Sequence, residues 1–183
     1  MTIGQRTNRI VDVDRTQLTE YQEKVIARLE SGRGTILPPY KIWIQSPVIA
    51  DGMEVIGTHL NTGSSFDYAE REIGILMTAV FWRSPFVITA HLRHARTAGV
   101  AEPALESILA GTPARFANER QQAVHDFVQD SLAGGSIEDA AFFGYEQIFG
   151  RAGIAELLTL IGYYTSVALG LRMHEVPPPV RQG

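Results

Sequence analysis

Glu72, His91 and His94 are the side chains in this sequence whose types and spacing are best suited to moving protons. Glu72 shares a helical stripe with Ile75, Ala79 and Trp82, at offsets of three, seven and ten residues. A carboxylate at the mouth of an apolar stripe is costly unless something pairs with it. It can equally serve as a first-turn acid facing the positive end of its helix. His91 lines up with Val87, Ile88, Ala95 and Ala98. An imidazole in such surroundings is either a hydrogen-bonded core group or an acid–base catalyst that titrates near neutrality. His94 follows one turn later, flanked by Arg93 and Arg96. The His91–His94 pair supplies only two metal ligands, and spacing indicates no third, so no metal or other cofactor is expected.

Other candidates lead to less. His125 falls in a polar stretch and is expected to be exposed, and His174 is placed where a cation suits a helix C-terminus. Nothing in its spacing gives His59 a role. Tyr163-Tyr164 and Phe142-Phe143 suit packing or a subunit interface. Gly32-Arg33-Gly34 has neither the preceding strand nor the following lysine of a phosphate loop, and no Gly-x-Ser-x-Gly elbow occurs. The chain has no cysteine, which removes disulfides, thiolate nucleophiles and thiolate metal sites.

The elements that must position these groups are helices. Apolar residues recur at helical spacing, and strand-like alternation is scarce. An arm over residues 1–15 precedes a single domain over 16–175, and residues 176–183 form a Pro-rich tail. Helices are predicted from about Thr16 to Ser31, Tyr40 to Gln45, Ser46-Pro47 onward, Asp67 to Trp82 and Ser84 to Gly99. Further helices start at Glu102-Pro103 and Arg115, and another is capped by Ser136 and ends at Phe149-Gly150. The last runs from about Ile154 to Met173. The result is an all-α bundle of about eight helices, in which Asp67–Trp82 and Ser84–Gly99 pack antiparallel across a turn at Arg83.

Of 183 residues, 45% are hydrophobic and 20% charged, as in ordinary globular chains. With 16 basic and 20 acidic residues the net charge is −4, which gives no basic face for nucleic acid or anionic lipid. The apolar run Ile73–Trp82 is about half of what a membrane span needs. No secretory signal follows Met1. A cytoplasmic protein without nucleic-acid or membrane partners is expected.

Four segments resemble, in order and spacing, the carboxymuconolactone decarboxylase and alkylhydroperoxidase-D (AhpD-like) superfamily. They are Leu37-Pro38-Pro39 through Ser46-Pro47, Asp67 through Ile73, Ala90 through Val100, and Ile154 through Leu169. Together they span roughly residues 33–175. In the peroxidase branch a glutamate lies about nineteen residues before the histidine, which the resemblance assigns to Glu72 and His91. The branch's two cysteine places fall on Ser84 and Val87. A serine hydroxyl cannot replace a peroxidatic thiolate, because its pKa is far too high and it has no redox chemistry of its own. Thiol peroxidase activity is therefore excluded. In the decarboxylase branch a glutamate usually precedes the histidine by four residues, and Val87 stands there.

The resemblance implies an AhpD-like fold and a homo-oligomer, a trimer or a hexamer. It leans toward an enzyme: a cofactor-independent lyase, a decarboxylase or related acid–base enzyme, on a small organic acid or lactone. His91 would shuttle a proton and Glu72 would hold its tautomer. Ser84, His94 and Arg93 would bind substrate oxygens, and Trp82 and Trp43 would wall the pocket. The alternative is a non-catalytic ligand-binding or structural oligomer that lost the redox cysteine pair.

Overall fold

The computed structural model describes residues 8–179. Residues 1–7 of the expected arm and 180–183 of the expected tail lie outside the described residues. Eight helices and no strands are present among the described residues. They are α1 (Glu20–Arg33), α2 (Pro38–Trp43), α3 (Pro47–Thr62), α4 (Tyr68–Phe81), α5 (Pro85–Thr97), α6 (Glu102–Ala110), α7 (Glu119–Ala133) and α8 (Asp139–Met173).

Local chemistry sets the boundaries, and it moves some of the predicted ones. α1 starts at Glu20 rather than near Thr16, because Thr19 and Gln22 close a capping box. α7 starts at Glu119 rather than Arg115, because the Asn118 side chain accepts from the Arg120 and Gln121 amides. Ser136 does not cap α8; Glu138 is the N-cap and its side chain makes no capping bond. α2, α3, α5 and α6 each carry proline in the first two helical positions, where no amide is needed.

α8 is interrupted at Gly150, whose φ of 65° and ψ of 172° are a conformation open essentially to glycine alone. The predicted break at Phe149-Gly150 is thus a bend between two stretches of helix. The second stretch buries Leu157, Leu160, Ile161, Tyr164 and Leu171. By length and composition α8 could cross a membrane, with a mean hydropathy of 1.5 over its best window. The expectation drawn from Ile73–Trp82 overlooked this longer helix.

α4 is the central element. One face, with Ile73 and Leu76, enters a core built with α6, α7 and α8, and the other, with Ile75 and Ala79, enters a core built with α1, α2 and α8. Burying an aliphatic side chain of this kind stabilises by roughly 1.5–3 kcal/mol. Gly74 permits the close approach of α8, since a Cβ there would lie 3.0 Å from Leu160 Cδ2.

α4 is joined to α5 by a tight hairpin. The Arg83 amide donates to Val80 O and the Ser84 amide to Ala79 O, each at 2.9 Å, with Arg83 at a left-handed φ of 50°. This is a Schellman stop in a position usually given to glycine. Contacts Tyr68–His94, Glu72–His91 and Ala79–Ser84 then pair the two helices in antiparallel register.

Candidate functional site

The hairpin register brings Glu72 and His91 together. Glu72 lies one turn into α4 and is buried, at 5% exposure, while His91 lies midway along α5. His91 Nδ1 is 2.9 Å from Glu72 Oε2. The His91 side chain is 20% exposed and that of Glu72 only 6%, so solvent reaches the imidazole and not the carboxylate. A carboxylate accepts the Nδ1 proton and fixes the ring so that Nε2 carries the lone pair. Among the described residues Nε2 makes no hydrogen bond. The Tyr164 ring stands edge-on to His91, with centroids 5.1 Å apart.

Beside this pair lies a second one. The Tyr68 hydroxyl is 2.7 Å from His94 Nδ1, and the His94 and His91 ring centroids are 5.7 Å apart. Burial pushes the Tyr68 phenol above its ordinary pKa; the negative charge of Glu72 acts the same way, and Arg71 and Arg93 oppose it. The phenol therefore keeps its proton at neutral pH.

The remaining predicted site residues scatter. Ser84 is the N-cap of α5 and is buried at 1% exposure, with no side-chain capping bond. Arg93 is exposed and close enough to Tyr68 to influence its charge. Trp82 is half-buried and donates from Nε1 to Thr165 Oγ1 at 2.9 Å. Trp43 packs edge-on between Tyr40 and Tyr163 in the α1–α2–α8 core. It connects to the site through Tyr163, which packs on Tyr164, which packs on His91.

Sequence reasoning missed Tyr68 and assigned Tyr164 to packing or a subunit interface. The signal for Tyr68 was its place one turn before Glu72 on the same helix face, opposite the His91–His94 face.

His125 is a correction. It is buried at 2% exposure, not exposed, with Nε2 accepting from the Ala114 amide at 3.1 Å and Nδ1 2.8 Å from Asp126 Oδ1. Both nitrogens are engaged. Two clefts lie elsewhere: one of about 410 Å³ bordered by Met77, Phe81 and His125, and one of about 280 Å³ bordered by Asp12, Glu30 and Lys41. Neither is lined by Glu72 or His91. Among the described residues no three His, Cys, Asp or Glu side chains converge into a metal-holding group.

Comparison with solved structures places this arrangement in a known architecture. An uncharacterised peroxidase-related protein from Silicibacter sp. TM1040 superposes with a TM-score of 0.71 at 15% identity, covering 98% of this chain and 95% of that one. A protein of unknown function from Agrobacterium tumefaciens, described as a putative antioxidant defence protein AhpD, gives 0.65 at 15% identity over 80% of this chain and 99% of that one. The chain has the AhpD-like fold. The debrominase Bmp8, solved as a variant with 2,3,4-tribromopyrrole, shares it with a TM-score of 0.68 at 10% identity, covering 93% of this chain and 91% of that one. No family model and no curated protein matches the sequence. Within the AhpD-like fold, the places that the resemblance gives to a Cys-x-x-Cys pair hold Ser84 and Val87, both buried.

Proposed function

We propose that the protein is a cofactor-independent acid–base enzyme of the carboxymuconolactone decarboxylase type, a lyase acting on a small organic acid or lactone. The observation that carries this reading is the 2.9 Å contact between His91 Nδ1 and the buried Glu72 carboxylate, which leaves Nε2 open. In loss of carboxylate from the carbon next to a carbonyl, the carbon–carboxylate bond breaks and CO2 leaves. Its electron pair moves into the carbonyl to give an enolate. His91, having taken a proton from solvent at Nε2, gives that proton to the carbon and returns to its Nδ1–H form. Glu72 orients the ring throughout and balances its charge when it is protonated. In this proposal the protein works in the cytoplasm as a homo-oligomer, without nucleic-acid or membrane partners.

The test is CO2 release from a panel of carboxylated lactones and small keto acids. His91→Gln is expected to lose about 10²–10⁴ in turnover, the usual worth of a positioned acid–base group. Glu72→Gln should lose less, since the ring stays in place but its charge is no longer balanced. An unchanged rate in His91→Gln removes the histidine from the mechanism. Binding of these acids by the unaltered protein without turnover would instead favour the ligand-binding alternative.

A further inference from the structure

The proposed chemistry uses one histidine, yet the hairpin presents two. Tyr68 and Glu72 stand one turn apart on α4, and His94 and His91 stand one turn apart on α5. The register therefore sets two pairs side by side, Glu72–His91 and Tyr68–His94, with the imidazole rings adjacent. Their partners differ in kind. A carboxylate can only accept, so His91 must donate from Nδ1. A phenol can donate, and against a neutral imidazole it does: its O–H is a stronger acid than the imidazole N–H, and the bare imidazole nitrogen is a better acceptor than a phenol oxygen.

We infer that Tyr68 donates to His94 Nδ1 and holds His94 as the Nε2–H tautomer, so that the site offers an acceptor nitrogen on His91 and a donor nitrogen on His94. Neither Nε2 is hydrogen-bonded among the described residues. Such a pair suits a ligand with a carbonyl or carboxylate oxygen next to the carbon that exchanges a proton. The oxygen takes the His94 N–H, and the carbon faces His91. In the reaction above, His94 would stabilise the enolate oxygen as charge develops there. Tyr68 acts through His94 and is a positioning residue. The phenol's retained proton and the flanking charges of Glu72, Arg71 and Arg93 are consistent with its donor role.

The inference rests on the proposed reading for the role of His91, but its first test needs no turnover. Long-range 1H–15N spectra of the full-length protein at neutral pH read the tautomer of each histidine. His94 is expected as Nε2–H and His91 as Nδ1–H. Tyr68→Phe should mix the His94 tautomers and leave His91 unchanged. An Nδ1–H form of His94, or no response to Tyr68→Phe, overturns the assignment; should that variant fail to fold, the tautomer in the unaltered protein decides alone. Titration with succinate supplies the second reading. Both Nε2 signals should move with one dissociation constant, and His94→Gln should weaken binding about tenfold, as for loss of a charge-assisted hydrogen bond. A His94 signal that does not move sinks the donor role. If His94 shows the expected tautomer in a protein that turns over none of the acids, only the lyase proposal fails.

Discussion

His91 and His125 show how one residue type is put to different uses. His91 keeps one nitrogen open, whereas His125 spends both, on the Ala114 amide and on Asp126. His125 is therefore a structural residue, and its removal strands a buried amide and leaves a void. His125→Ala is expected to cost about 2–4 kcal/mol, measured by denaturant unfolding, with turnover per folded molecule unchanged. The polar run Arg120-Gln121-Gln122 and the following Asp126 made this histidine look solvated. What decides its burial is that Val124 and Val128, on the same side of α7, face the core. Glu72 and His91 were easier to read, because each interrupts an apolar stripe. Tyr68 was harder, since it is an aromatic in a first turn, 38% exposed, and its place one turn before Glu72 gains meaning only when the partner helix is set beside it.

Among the helices, two carboxylates, one ion-paired and one hydrogen-bonded, fix how α4 sits. Glu70 closes the α4 capping box and also meets Arg120 Nε of α7 at 2.7 Å, with its own side chain only 3% exposed. Arg120→Met leaves that carboxylate buried with its counter-charge gone. A loss of about 3 kcal/mol is expected in thermal or chemical melts. At the α3–α4 loop, Glu156 of α8 accepts from the Ser65 amide at 2.9 Å and hydroxyl at 2.7 Å, from the Ser64 hydroxyl, and lies 3.2 Å from His59 Nε2. Burial alone would raise its pKa, but the hydrogen bonds from Ser65, His59 and Ser64 outweigh it and hold the carboxyl below its usual 4.5. A depressed folded value means the stabilisation is present above the ordinary carboxylate range and is lost as pH falls through the folded value. Glu156→Gln should cost about 1 kcal/mol at pH 7. That gap should narrow on acidification below the usual range, and a gap independent of pH would contradict the assignment. The order of helices was legible from Pro starts and Gly stops; the side chains that tie one helix to the next were not, because their partners are distant in sequence.

On the scale of the whole molecule, large apolar side chains remain on the outside: Val48 at 68% and Val55 at 63% on α3, and Leu158 at 52% on α8. The proposed homo-oligomer would cover such a surface. Sedimentation velocity is expected to give a species larger than the monomer, with Val55→Lys or Leu158→Lys shifting it toward monomer; a purely monomeric unaltered protein would refute self-association. The all-helical class was readable in advance because helical periodicity is strong along most of the chain, and the AhpD-like arrangement came from the resemblance carried by four segments. The distribution of exposed apolar surface was not, since it depends on which stripe each neighbour claims. One further constraint follows from the hairpin at Arg83. Adding a single residue there would turn α5 by roughly 100° about its axis. Both imidazoles would swing away from their partners on α4 while every helix stayed intact. The length of that junction thus behaves as a ruler for the chemistry: a protein with one residue inserted there should be catalytically silent, and it should melt at a lower temperature because Val87 and Ala95 leave the core with the imidazoles.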